Sequence, residues 1–196
     1  HWMVHSFPTR RSSDLKAGCF GGVATLSLVN VWHSHYDTER KQQIFAGLTT
    51  ETIDRLRRRH AVIDGDSRHW EWAFSPPELQ IELDELITEA KVTPMLHTQF
   101  VAPHVEDGRL VGAIVENKTG RQAIRASVFI DATGDGDLCH RLGLETYFSQ
   151  SVQPSTTCCV LAGSFNGGDL SAALRDHRAE FNLPEGFAWG APIPPY

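Results

Sequence analysis

The chain has 196 residues, of which 41% are hydrophobic, 21% charged and 9% aromatic, enough apolar mass for one core. Its 24 acidic and 18 basic residues leave a formal charge of −6, so there is no basic footprint for nucleic acid, and no apolar run reaches the roughly 18 residues a membrane span needs. Cys19, Cys139, Cys158 and Cys159 form neither a Cys-x-x-Cys pair nor a disulfide framework, which points to a reducing compartment and the cytoplasm.

Residues 1–15 are polar, aperiodic and begin with histidine. His5 to Leu15 resembles the translation of a sequencing-library adapter, so this segment is expected to be non-native and is set aside. A signal peptide would need an apolar core of about seven residues, and none occurs before Ala17.

From Lys16 the pattern becomes protein-like. Gly18-Cys19-Phe20-Gly21-Gly22 followed by Val23 to Val29 predicts a glycine turn opening a buried helix, and Trp32 to Asp37 reads as a loop. Thr50 as N-cap, acids at Glu51 and Asp54, and Arg57-Arg58-Arg59 at the far end predict a helix over 51–60 with its arginines in solvent. Ser75-Pro76-Pro77-Glu78 combines a capping box with proline at the first helical position, and Leu79, Leu83, Leu86, Ile87 and Ala90 share one face. Beyond Lys91 the period falls to two. Strands are predicted at Thr93 to His97, Gln99 to Val105, Leu110 to Glu116 and Gln122 to Ala126, with a hairpin turn at Glu106-Asp107-Gly108-Arg109 and another at 117–120. Ser127 to Asp131 then reads as a short apolar strand of the kind buried in a parallel sheet. The order predicts an α/β fold, a doubly wound sheet whose crossover is a three-stranded antiparallel meander. After Gly143 a strand over Thr156 to Ala162 and a helix over Asp169 to Phe181 are expected, and the last residues read as cut in mid-structure.

The segment richest in chemistry is Ile130-Asp131-Ala132-Thr133-Gly134-Asp135-Gly136-Asp137-Leu138. At a strand end, Ala-Thr-Gly lets a ligand approach the backbone. The amides that follow can meet phosphate oxygens, and a carboxylate such as Asp137 can accept from sugar or ribityl hydroxyls. Two other readings compete. Asp131, Thr133, Asp135, Gly136 and Asp137 match the first half of a calcium loop, although the glutamate required at its end is Leu142 here. The segment also reads as a plain polar turn.

Taken in order, Gly21-Gly22-Val23-Ala24-Thr25, Glu106-Asp107-Gly108-Arg109 and Val128 to Asp137 resemble the FAD-dependent oxidoreductase family, two-dinucleotide-fold flavoproteins related to the flavin subunit of heterodisulfide reductase. The resemblance runs from about Phe20 to Gly143, with a weaker echo in Gln153 to Thr157. It implies an FAD/NAD(P)-binding Rossmann-like fold, incomplete here, and flavin-mediated electron or hydride transfer on an unidentified small-molecule substrate or redox partner. It implies further that Gly21 and Gly22 pass close to FAD, that Ala24 and Thr25 open the helix beside the flavin, that the strand of Phe100 runs past the adenine, and that Thr133, Gly134, Asp135 and Gly136 close over the adenosine side. Asp137 is added as a ligand to the sugar hydroxyls.

The family begins with a strand and G-x-G-x-x-G, whose helix start binds the pyrophosphate, followed by an acid for the ribose. These 196 residues contain no G-x-G-x-x-G. The expectation is therefore a fragment, with residues 1–15 non-native, 16–145 a partial FAD-binding domain and 146–196 the start of a substrate-side segment, unable to hold FAD tightly by itself. A non-enzymatic or degenerate nucleotide-binding module is the alternative. A 4Fe–4S cluster, which related flavoproteins bind through Cys-x-x-Cys, would need residues outside this chain. His33, His35 and Asp37 could ligate a metal or act as acid and base, though a polar loop carries histidines for no such reason more often. Cys158-Cys159 is poor geometry for a shared metal, and Trp70 and Trp72 read as packing. No catalytic residue follows from the sequence.

Overall fold

The computed structural model describes residues 17–65, 71–147, 149, 156–160, 170–182 and 193–194. Residues 1–15, Trp70, Asp169 and most of the echo at Gln153 to Thr157 lie outside them. The described chain mixes helices with two three-stranded antiparallel sheets, as an α/β composition requires.

Helix α1 (Leu48–Arg58) starts after Gly47, which takes φ 71°, so Thr50 lies inside the first turn and is not its cap. Glu51 in the first turn and Arg55, Arg57 and Arg58 in the last complement the helix dipole. Helix α2 (Pro76–Glu89) follows Ser75, with proline at its first positions, where no amide hydrogen is missed. The Ser75 side chain makes no cap bond, so the expected capping box does not close. Glu78 turns instead toward Arg59, 3.5 Å away. Leu79, Leu83, Leu86 and Ile87 are buried as their spacing predicts, but Ala90 is exposed because the helix ends at Glu89.

Glu82 lies on that apolar face and is buried. A buried carboxylate needs a counter-charge, and Arg59 supplies it, bonding to Glu82 and, at 2.6 Å, to Glu85. Arg55 bonds to Glu51 at 2.8 Å and to Glu89 on α2. The arginine end expected in solvent is thus partly a latch between α1 and α2; Arg58 is exposed, and Arg57 bonds to Asp54 and Asp64.

The first sheet comprises β1 (Val31–Trp32), β2 (Val62–Asp64) and β3 (Trp72–Phe74), in the order β1-β3-β2. Central β3 is buried throughout. Phe74 joins Phe20, Leu56, Ala61, Leu79, Leu83, Leu86 and Ile87 in the core, and the Trp32 ring packs on it at 4.5 Å. The second sheet is the meander β4 (Gln99–Glu106), β5 (Arg109–Asn117) and β6 (Gly120–Arg125). Asp107 at φ 48° and Gly108 at φ 74° make the tight turn between β4 and β5 that Asp-Gly predicts.

Five expected elements differ. The helix from Val23 is only a 3-10 turn, Gly22–Ala24; beyond it Leu28 adopts φ 57°, which no helix continues through, and Val23 and Leu26 are exposed. Thr93 to His97 is not a strand and ends in a turn. Ser127 to Asp131 forms no ladder, and Val128 and Ile130 are 53% and 58% exposed. An apolar run becomes a strand only where neighbours take its backbone groups, and no described residue does so. No parallel pairing occurs among the described residues, so the doubly wound parallel sheet is not seen there. Thr156 to Val160 is likewise without a strand. Helix α4 (Leu170–Asp176) ends short of Phe181.

Candidate functional site

The segment 131–139 is organised by one carboxylate. Asp131 Oδ1 accepts the Thr133 N–H at 3.1 Å and the Thr133 hydroxyl at 2.7 Å, while Oδ2 accepts the Cys139 N–H at 3.0 Å. The Thr133 oxygen in turn accepts the Asp137 N–H at 2.9 Å. Together they satisfy two of the free amides at the start of helix α3 (Asp137–Arg141). Gly134 at φ 86° and Gly136 at φ 71° supply the left-handed steps that let the chain double back. Burial pushes the Asp131 carboxyl up, but the hydrogen bonds from Cys139 and Thr133 outweigh it and hold the group below its ordinary range. Burial, with the neighbouring Asp131 charge, pushes the Cys139 thiol up.

This geometry changes what the loop can recognise. Of the amides that follow Ala-Thr-Gly, those of Asp137 and Cys139 are already donated inside the loop. Asp131 is likewise committed, which removes the first ligand of the calcium reading. Among the described residues no group of three or more His, Cys, Asp or Glu is placed to hold a metal ion. One acceptor is left over: Asp137 Oδ2 is buried with no hydrogen-bond partner among the described residues. A side chain at Gly136 would meet nothing within 4 Å, so a ligand has room to approach the backbone there.

Helix α3 packs against β4, which carries Phe100, half-buried and paired with Val115. The glycine turn sits elsewhere, on α2. A Cβ on Gly21 would collide with Thr25 and come within 3.0 Å of Leu83 Cδ1. Gly22 and Thr25 are buried, and the Thr25 hydroxyl donates to the Phe20 carbonyl at 2.8 Å. Ala24 packs on the core. Just before this turn, the Ala17 carbonyl accepts the His97 N–H at 3.0 Å, which ties the segment to the residues leading into β4. The structure thus places Thr133, Gly134, Asp135, Gly136 and Asp137 in one loop, beside β4 through α3, and Gly21, Gly22, Ala24 and Thr25 in one turn packed on α2.

The histidines do not form a pair. His33 is exposed, whereas His35 is buried, its ring 4.4 Å from Trp72 and 6.5 Å from Phe45. Burial lowers the His35 pKa, and Glu71 only partly opposes this, so it is a neutral packing ring. Asp37 accepts the Lys41 N–H at 2.8 Å. The sequence named Asp131 only as a possible calcium ligand and missed its role as the loop's organising acceptor, which an aspartate two places before a threonine could have signalled; it did not single out His104 on β4, whose buried Nδ1 has no partner among the described residues.

A mixed α/β chain with a glycine turn on a helix and a tight Ala-Thr-Gly-Asp-Gly-Asp loop beside a meander has the parts of a nucleotide-cofactor protein. The family model described as FAD dependent oxidoreductase matches residues 16–188, and the chain belongs to that family. No curated protein and no solved structure matches it. The residues present fit the adenosine or ribityl part of FAD, because Asp137 Oδ2 lacks the donor that a sugar hydroxyl supplies.

Proposed function

We propose that this chain supplies part of the FAD site of a flavin-dependent oxidoreductase, and that its 131–137 loop takes the adenosine side of the cofactor. The observation that carries this is the buried Asp137 Oδ2, without a hydrogen-bond partner among the described residues, on the loop that most resembles the family. Thr133, Gly134, Asp135, Gly136 and Asp137 would hold the sugar and base. Gly21, Gly22, Ala24, Thr25 and Phe100 would line the cofactor's path through backbone and ring. When bound, FAD supplies the redox chemistry of its flavin ring to a small-molecule substrate or redox partner. The protein's own part is to bind, orient and leave room at glycine.

Because the pyrophosphate motif is not among these 196 residues, the reading includes a longer flavoenzyme in which 16–145 is the cofactor portion, with its Rossmann-like sheet completed elsewhere, and 146–196 opens a substrate-side segment. Flavin-fluorescence titration tests the site. The wild-type chain is expected to bind FAD weakly, and Asp137→Ala to weaken it about ten-fold through loss of a hydrogen bond to a charged group. Unchanged affinity in Asp137→Ala removes the loop from the site.

A further inference from the structure

The geometry points to Asp131 as the positioning residue of the cofactor site: its carboxylate fixes the Thr133 and Cys139 amides and so sets the backbone that carries Asp137, whose Oδ2 has no hydrogen-bond partner among the described residues. This rests on the proposed FAD reading. Asp131 is not among the residues expected to touch the cofactor, and each of its oxygens is already occupied inside the loop.

Three observations support the assignment. First, Asp131 bridges the loop's beginning and end, holding Thr133 two residues away and Cys139 eight residues away. Second, Thr133 relays this to Asp137, because the hydroxyl that donates to Asp131 also accepts the Asp137 N–H. The backbone of the ligand-facing residue is therefore set two hydrogen bonds from Asp131. Third, the first and third amides of α3 are already taken up inside the loop, Asp137 N–H by Thr133 and Cys139 N–H by Asp131. With both amides so committed, the Asp137 carboxylate is left as an acceptor suited to a hydroxyl-bearing group. The depressed Asp131 ionisation agrees with an aspartate that is charged in the folded loop.

Asparagine keeps the shape and one carbonyl acceptor; alanine keeps neither. The test uses the whole chain as wild type, Asp131→Asn and Asp131→Ala, with two readouts. Amide hydrogen exchange is expected to accelerate at Thr133, Asp137 and Cys139 in Asp131→Ala, with partial rescue in Asp131→Asn and no change in β4 to β6. FAD affinity, followed by ligand-detected NMR so that weak binding is measured, is expected to fall about ten-fold in Asp131→Ala and less in Asp131→Asn. Exchange that accelerates while FAD affinity stays at the wild-type value overturns the positioning role and leaves the FAD reading standing. Unchanged exchange overturns it as well, as does global acceleration that includes β4 to β6. Wild-type chain that binds no FAD overturns the FAD reading and this assignment with it.

Discussion

Gly21 takes φ 103°, a conformation that side chains rarely adopt, and its missing Cβ leaves the space that Thr25 and Leu83 occupy. The fold therefore demands glycine there whether or not a cofactor passes, and Gly21→Ala is expected to lower stability by more than about 1 kcal/mol in urea unfolding. An alanine variant as stable as wild type would place the turn in a different conformation. At His35 the sign of the pH dependence follows from burial. Its folded pKa lies below the ordinary 6.5, so its contribution is complete above that value and is lost as pH falls through the folded pKa. Thermal unfolding across this range is expected to show a destabilisation on acidification that His35→Phe, which keeps the ring against Trp72, reduces. Equal acid sensitivity in both proteins would assign the effect to other groups.

At the scale of elements, the α1–α2 latch separates charge from packing. Glu82 is buried between two arginines, Arg59 in direct contact and Arg55 at 3.8 Å. Removing Arg59 strands that carboxylate, so Arg59→Ala is expected to destabilise the chain clearly, and adding Glu82→Leu to restore part of the loss. Chemical denaturation of the two single variants and the double variant checks this; additive losses would mean that the pair does not interact. The latch also marks a limit of sequence reading. Arg57 to Arg59 look like any basic helix end, and only the crossing of α2 reveals the partners.

Other elements divide along the same physical line. The core face of α2 and the meander were legible, since helical spacing from Leu79 to Ile87 and the Asp107-Gly108 turn depend on local chemistry. Ser127 to Asp131 was not, because an apolar run carries no record of whether a neighbouring strand exists to pair with it. The strands β2 and β3 went unread for a related reason: each has only three residues, too few to display a period. In the candidate site the loop 130–138 was legible from its glycines and acids. The role of Asp131 was not, since a carboxylate that binds a ligand and one that binds its own backbone are the same letter.

At the scale of the whole molecule, membership of the FAD-dependent oxidoreductase family rests on a match over residues 16–188, and the local geometry narrows what this stretch contributes. Its 131–139 loop donates the Thr133, Asp137 and Cys139 amides inward and leaves Asp137 Oδ2 without a donor among the described residues, the feature on which the proposed adenosine-side site rests. Consistent with that division of labour, the purified chain is expected to lack stoichiometric FAD in its visible spectrum. No helix among the described residues is long and apolar enough to cross a membrane. The most direct test compares FAD with FMN, which shares the flavin and lacks the adenosine, by titration into the same chain. A site for the adenosine side predicts measurable FAD binding, weaker FMN binding, and an Asp137→Ala variant in which the difference shrinks. Equal affinity for the two flavins, or a preference for FMN, would contradict it.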